Sequence, residues 1–197
     1  VRYLQFIPCV ETNPQDGAVA DFSVTPKQYG DFLCRMFDRW MAFGPDKLSI
    51  RDFDAILSFH IVGRPTICTF DRQCSQYVVI EHQGDVFPCD FFVERHWKLG
   101  NIEIDSWQEV ARRVRRYNFA AKKTVAHPEC EVCKYQSICH GGCPKSRHGQ
   151  RGDFADLDWF CGAYKMIFDK AVGPLKREVE KITGRSSDLT PHHISPY

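Results

Sequence analysis

Four cysteines lie close together in the second half of the chain, at Cys130, Cys133, Cys139 and Cys143. Their spacing is C-x2-C-x5-C-x3-C, and Pro144 follows the last of them. Thiols this close in sequence bind zinc, ligate an iron–sulfur cluster or form disulfides. Gly141, Gly142 and Pro144 favour turns, so the backbone here can wrap around an inorganic centre.

The C-x3-C-P ending indicates that ligands also come from elsewhere in the chain. In the bacterial ferredoxin run with this ending, the cysteine before proline ligates a different cluster from its neighbours. The full series is Cys68-x5-Cys74-x14-Cys89, then the four-cysteine stretch, then Cys161. Eight thiols suffice for two four-thiolate centres. Cys9 and Cys34 are left over, and we expect both to be small buried hydrophobic residues.

Composition limits the alternatives. The ten cysteines could form a disulfide scaffold, but such scaffolds are usually shorter than 197 residues. The sequence has neither a secretion signal nor an apolar run of membrane-spanning length, which predicts a reducing, cytoplasmic location with the thiols as metal ligands. A net charge of +1 predicts neither nucleic acid nor membrane as a partner.

A non-enzymatic protein with two structural zinc ions is a further alternative. Four cysteines hold tetrahedral zinc, and C-x2-C spacing suits it. Zinc ribbons usually pair two such knuckles, however, and this chain has only the one at Cys130 and Cys133.

The first sixty residues read as one strand–loop–helix unit. Residues 1–7 are apolar and predict a strand ended by Pro8. Thr25 and Gln28 form a capping box with Pro26 at the first helical position, and Gly44-Pro45 ends the helix. This pattern is typical of the last unit of a β/α barrel. A chain that opens within a strand is expected to be the C-terminal part of a longer protein.

Shorter elements follow. Residues 50–60 predict a short helix, and residues 77–81 and 86–88 predict two strands around a turn at 82–85. Residues 99–102 read as a turn.

Two more helices are expected beyond residue 105. Ser106 and Glu109 form a capping box that opens a helix to about Lys122. Six residues give it one basic side, predicted to be solvated, with a peptide- or partner-binding surface as the alternative: Arg112, Arg113, Arg115, Arg116, Lys122 and Lys123. The second helix, residues 158–182, should kink or split at Gly173-Pro174.

The cysteine series resembles the SPASM domain, the C-terminal extension of radical S-adenosylmethionine enzymes that modify peptides and proteins. Three features carry the resemblance: the order of the cysteine spacings, the pair Cys89-Asp90 after the hairpin, and the run Gly141–Arg147. Within that group the chain looks most like the anaerobic sulfatase-maturating enzymes. The segment Gln5–Glu11 is similar to that family's late barrel strand.

The resemblance implies two auxiliary 4Fe-4S clusters in this chain. By motif position, the first cluster would be held by Cys68, Cys74, Cys89 and Cys143. The second would be held by Cys130, Cys133, Cys139 and Cys161. Four thiolates per cluster leave no iron open for substrate, so the clusters would serve electron transfer and structure.

The resemblance also implies a reaction, the oxidation of a cysteine or serine of a sulfatase to formylglycine. A 5′-deoxyadenosyl radical would take a hydrogen from the target Cβ, a base would take the thiol or hydroxyl proton, and one electron would leave through the auxiliary clusters to a redox protein. The base would be Asp90. Partial burial beside an anionic cluster is expected to raise its pKa. A carboxylate that only caps a helix or accepts backbone N–H bonds is the alternative.

The catalytic cluster motif CxxxCxxC is not found in these 197 residues, because Ser146 stands where a third cysteine would follow Cys139 and Cys143. S-adenosylmethionine and a third 4Fe-4S cluster would therefore bind in an N-terminal region outside this sequence, and this part of the enzyme should be inactive alone. Another peptide-maturing member of the group, such as a thioether-forming enzyme, is the alternative. Cys89-Asp90 favours the sulfatase type.

These inferences give an α+β fold in three parts. Residues 1–60 would be the last strand and helix of a partial (β/α) barrel with a linker. Residues 61–183 would form the cysteine-rich SPASM-like domain, with a short β-hairpin and flanking helices. Residues 184–197 would be a disordered tail.

Overall fold

The computed structural model describes residues 2–13, 15–74, 77–125, 127–151 and 154–184. It is a mixed α/β structure with helices and two small sheets, as the predicted α+β class requires. The expected tail at 185–197 lies outside the described residues. Of the helices within those residues, none combines the length and the apolar character needed to cross a membrane.

The N-terminal part forms a β–α–β–α unit. Strand β1 (Tyr3–Leu4) pairs in parallel with β2 (Ser49–Ile50), and helix α1 (Pro26–Phe43) connects them. Parallel neighbours require such a crossover. The predicted strand at residues 1–7 is wrong in extent, since the ladder with β2 includes Tyr3 and Leu4 alone among the described residues.

Helix α1 begins where the sequence predicts. The Thr25 hydroxyl accepts a hydrogen bond from the Gln28 amide at 3.2 Å, and the Gln28 side chain accepts one from the Thr25 amide at 3.0 Å. Gly44 ends the helix. Helix α2 (Arg51–Val62) follows β2 directly and ends at Gly63, which has a φ of 73°.

The last helix, α8 (Cys161–Thr183), packs against both α1 and α2. Leu33, Trp40, Phe53, Ile167 and Leu175 are among the residues of this common core, and each is at most 1% exposed. Of the kink or split predicted at Gly173-Pro174, the split is wrong, because α8 is one helix through Pro174. Burial of the residues on either side of the proline outweighs the loss of one backbone hydrogen bond.

A three-stranded antiparallel sheet contains the predicted hairpin. Strands β3 (Val79–Ile80) and β4 (Asp85–Phe87) pair around a turn closed by a hydrogen bond from the Gly84 amide to the Glu81 carbonyl. A third strand, β5 (Gly100–Asn101), pairs with β4 where a turn was predicted. Two residues are too few to show the alternation by which strands are recognised in a sequence.

Short helices fill the cysteine-rich region. Helix α3 (Trp107–Tyr117) is capped by Ser106, whose hydroxyl accepts from the Glu109 amide at 3.3 Å. Helix α3 ends at Asn118, which has a φ of 48°, whereas we expected the helix to continue to about Lys122. Helix α4 (Phe119–Lys122) follows. The remaining helices are α5 (Pro128–Glu131), α6 (Gln136–Cys139) and α7 (Pro144–Arg151).

The close contact between α1 and α8 gives a direct test of the core. A Cβ at Gly30 would lie 3.2 Å from the Ala163 Cα and 2.5 Å from the Met166 Sδ, whereas a Cβ at Gly162 would meet nothing closer than 3.7 Å. We expect Gly30→Ala to lower the free energy of unfolding by about 1–2 kcal/mol through overpacking. Gly162→Ala should raise it by about 0.5 kcal/mol through helix propensity.

Urea unfolding of the two variants and the parent would measure both effects. Equal changes in the two variants would contradict the described packing of α1 on α8.

Candidate metal centres

Four of the predicted ligands line one pocket. They are the thiols assigned to the second cluster: Cys130, Cys133, Cys139 and Cys161. Asp158 and Tyr164 also line this pocket. A set of four thiols around one pocket fits a four-thiolate iron–sulfur cluster.

Short helices place these four thiols. Cys130 lies in α5, and the Cys133 amide donates to its carbonyl at 3.2 Å. Cys139 is the last residue of α6, and Cys161 is the first of α8. The thiols therefore lie at helix ends and in tight turns, and α8 holds its member on the main core.

The chain turns sharply between Cys139 and Cys143. His140, Gly141 and Gly142 all have positive φ, at 48°, 77° and 74°. This left-handed run favours glycine. It leads the chain away from the second-cluster pocket, so Cys143 is not among the residues that line it.

Cys143 lies instead near two members of the first predicted set. Cys74 and Cys68 both raise the pKa of Cys143 electrostatically, after the larger effects of burial and of Asp158. Cys68 likewise contributes to the raised pKa of Cys74. Cys89 is related to this group through Tyr77. Burial raises the pKa of Tyr77, and Cys89 and then Cys68 raise it further, so Tyr77 lies near both cysteines. These influences indicate that Cys68, Cys74 and Cys143 lie near one another, and Cys74 and Cys89 pack against the same aromatic cluster.

Side chains from a distant part of the sequence hold residues 68–70 beside this loop. His140 Nδ1 lies 2.8 Å from the carbonyl oxygen of Phe70. The Lys123 ammonium donates to the carbonyl oxygens of Cys68 and Thr69. The segment that contains Cys68 is therefore held against Cys143 by polar contacts as well as by packing.

All ten cysteines are free thiols, and burial governs the protonation of several. It raises the pKa of Cys74 to about 11 and the pKa values of Cys89 and Cys139 to about 12. These thiols are protonated at neutral pH without metal, so metal binding would release protons. Of the leftover cysteines, Cys34 is partly buried, and the prediction for Cys9 is wrong because Cys9 is exposed.

The described side chains do not form a site for a single metal ion. Among the described residues, no three His, Cys, Asp or Glu side chains come together closely enough to hold one metal ion.

A buried carboxylate that we did not predict joins the two cysteine groups. Asp158 is 4% exposed. Its Oδ2 accepts from the Cys143 amide and its Oδ1 from the Phe160 amide, both at 2.7 Å. Its carbonyl accepts from the Cys161 amide at 2.9 Å. Burial raises the pKa of Asp158 to about 6, against the lowering effect of its backbone hydrogen bonds. The available sequence signal was its position just before α8, which is where aspartate caps helices.

Asp90 follows the hairpin, as predicted, but its environment differs from the prediction. It is exposed rather than partly buried. Its Oδ1 lies 3.1 Å from the Tyr77 hydroxyl and 3.2 Å from the Cys89 Sγ, and both groups donate to it. These contacts are with side chains, and so differ from the backbone N–H bonds of the capping alternative. They place the carboxylate at the edge of the first cysteine group.

Two basic residues are buried among the thiols. Lys123 is 2% exposed, so its assignment to the solvated basic side of the helix is wrong. Arg147 is 1% exposed and donates to the carbonyl oxygens of Lys123, Val125 and Phe154. Sequence periodicity gives no signal for either, because Lys123 follows the end of α4 and Arg147 lies in α7, which has only eight residues.

The chain is similar to known iron–sulfur proteins. Residues 68–134 match the SPASM family, described as an iron–sulfur cluster-binding domain. A cysteine-type anaerobic sulfatase-maturating enzyme of Clostridium perfringens is 32% identical over 86% of this chain and 46% of its own length. A serine-type enzyme of Bacteroides thetaiotaomicron is 35% identical over 85% of this chain and 44% of its own.

A solved structure of native anSMEcpe with bound AdoMet and Cp18Cys peptide superposes with a TM-score of 0.77, at 31% identity over 90% of this chain and 50% of that one. The chain spans about half the length of the relatives it matches. The predicted resemblance is confirmed: residues 68–134 match the SPASM family, and the chain is similar to the anaerobic sulfatase-maturating enzymes.

The contact between Gly142 and Asp158 predicts a sharp effect of one methyl group. A Cβ at Gly142 would lie 2.1 Å from Asp158 Oδ2, and the residue has a φ of 74°. Gly63 has a nearly equal φ of 73° but nothing within 4 Å of its Cβ position. We expect Gly63→Ala to cost about 1 kcal/mol of stability through backbone strain alone. Gly142→Ala should cost about 3 kcal/mol or more, because the clash also breaks a buried hydrogen bond.

Urea unfolding measures the two losses. Losses of equal size would contradict the role of Asp158 as the link between the cysteine groups.

Proposed function

We propose that this chain is the auxiliary-cluster part of a radical S-adenosylmethionine enzyme that oxidises a cysteine or serine of a sulfatase to formylglycine. The observation that carries the proposal is the pocket lined by Cys130, Cys133, Cys139 and Cys161 but not by Cys143. A single structural metal ion would be held by all four cysteines of the stretch, whereas Cys143 lies outside this pocket and Cys161 lines it instead. The relatives are cysteine-type and serine-type maturating enzymes, so either residue is a proposed target.

The two groups of cysteines are the proposed cluster sites. Cys130, Cys133, Cys139 and Cys161 would hold the second 4Fe-4S cluster, and Cys68, Cys74, Cys89 and Cys143 the first. Such clusters, when bound, supply one-electron acceptors. The substrate would be a sulfatase polypeptide, and a redox protein would take the electrons onward.

The division into parts is also a proposal. The parallel pair β1–β2 with α1 and α2 supports residues 1–60 as the end of a (β/α) barrel. Residues 61–183 would be the SPASM domain. The barrel would bring S-adenosylmethionine and its own 4Fe-4S cluster to the substrate.

Asp90 is the proposed general base. Its carboxylate is exposed, so a substrate thiol or hydroxyl can approach within hydrogen-bonding distance. Asp90 would accept the proton of that group while the hydrogen at the target Cβ is removed. The Tyr77 hydroxyl donates to Oδ1 at 3.1 Å, which would fix the carboxylate and leave its other oxygen for the proton.

Metal analysis of cysteine variants tests the cluster assignment. In the complete, anaerobically reconstituted enzyme, Cys74→Ala and Cys161→Ala should each remove about four iron atoms per chain, from different clusters. Cys9→Ala is the matched control, since Cys9 is exposed and outside both sets, and it should keep the parent content. Iron and sulfide assays with absorption spectra give the readout. A colourless protein that holds zinc instead would contradict the proposal.

An isosteric substitution tests the base. Asp90→Asn should lower turnover of a sulfatase-motif peptide by about 10²- to 10⁴-fold, while iron content stays at the parent value. Glu94→Gln removes a neighbouring carboxylate whose side chain is 72% exposed, and it should leave turnover unchanged. Mass spectrometry of the peptide measures the product. Full turnover in Asp90→Asn would rule out the base role.

A further inference from the structure

Lys123 is a buried cation that contacts the backbone of Cys68, a proposed ligand of the first cluster. It follows α4 (Phe119–Lys122), and 2% of its surface is exposed. Removing an ammonium group from water is costly unless an opposite charge or hydrogen bonds compensate. Two carbonyl oxygens supply part of that compensation: Thr69 accepts from Nζ at 2.8 Å, and Cys68 accepts from it as well.

Burial lowers the pKa of Lys123, and negative charge on Cys74, Cys143 and Cys68, in that order of effect, would act against this lowering. All three belong to the proposed first cluster. Conversely, Lys123 is the strongest charge among the causes that act on Cys74. Among the described residues, the Lys123 ammonium donates to the carbonyl oxygens of Cys68 and Thr69 and to no residue of the second set. The charge of Lys123 is therefore directed unequally at the two sites.

The preceding residue has a different environment. The Lys122 ammonium lies over aromatic rings, 5.8 Å from the Trp97 centroid and 5.5 Å from those of Tyr117 and Phe154. Lys122 is only partly buried. The two lysines carry the same charge one residue apart, yet only Lys123 contacts the backbone of a proposed ligand.

We propose that Lys123 is a positioning residue that holds the Cys68 segment in place and raises the reduction potential of the first auxiliary cluster relative to the second. The inference rests on the cluster assignment made above. Reduction adds negative charge to a four-thiolate cluster, and a buried cation nearby stabilises that charge strongly where the dielectric constant is low. Loss of the cation should therefore make the first cluster harder to reduce and leave the second nearly unchanged.

Redox titration of the complete enzyme, monitored by electron paramagnetic resonance, tests the inference. The N-terminal catalytic cysteines would be replaced by alanine, so that only the auxiliary clusters contribute signals. The signal lost in Cys74→Ala identifies the first cluster. Two neutral variants are compared, Lys123→Met and Lys123→Gln, since Gln keeps an N–H donor. Lys123→Arg preserves the charge, and Lys122→Met removes one charge at the neighbouring lysine, which lies over aromatic rings.

The expected result is a lower midpoint potential for the first cluster alone in both neutral variants, with Lys122→Met at the parent value. Loss of the first cluster in the neutral variants, with retention in Lys123→Arg, also supports a requirement for charge. Unchanged potentials, equal shifts of both signals, a matching shift in Lys122→Met, or loss of the cluster in all three Lys123 variants would overturn the inference. If the parent lacks iron and sulfide, the proposed function fails, which is a distinct outcome.

Discussion

The hydrogen bonds of Asp158 are the constraint on which the site depends. The buried carboxylate of Asp158 accepts hydrogen bonds from the amides of Cys143 and Phe160. The backbone carbonyl oxygen of Asp158 accepts another from the amide of Cys161. The end of the cysteine stretch and the start of α8 are thus held at fixed positions relative to each other. Glycine at 142 is required because any side chain there would occupy the position of the carboxylate.

The helical core supplies the rigidity behind that contact. Helix α8 packs on α1 and α2, and Tyr164, one turn beyond Cys161, is buried while it also lines the second-cluster pocket. A separate aromatic cluster supports the first group: Phe87, Phe92, Trp97, Phe119 and Phe154 pack together, with Cys74 and Cys89 against them. Each proposed centre therefore rests on apolar side chains on one side and on irregular backbone on the other. The irregular loops need few residues of their own in the core.

Local signals in the sequence predicted much of this structure. The capping box at Thr25 and the glycine at 44 defined α1, and the turn at 82–85 defined the hairpin. The spacing of the cysteines, with the family resemblance, separated Cys143 from the other members of its stretch. These features depend on residues near one another in sequence, which is why pattern and spacing reveal them.

The remaining features depend on contacts between distant segments. Strand β5 exists because β4 pairs with it, and α8 continues through Pro174 because its apolar face is buried. Lys123 belongs to a basic run in the sequence, and only tertiary structure shows that it points inward to residues 68 and 69. Asp90 was expected to be partly buried, whereas in this chain it faces solvent. Burial of a single polar side chain has no periodic signature.

The left-handed turn at residues 140–142 limits how far apart the two centres can be. Cys139 and Cys143 are four residues apart, so even a fully extended chain would separate their Cα atoms by at most about 14 Å. Three successive residues with positive φ prevent that extension. If each cysteine ligates a different cluster, this short loop limits the distance between the two clusters. An electron could then pass from one to the other without any movement of domains.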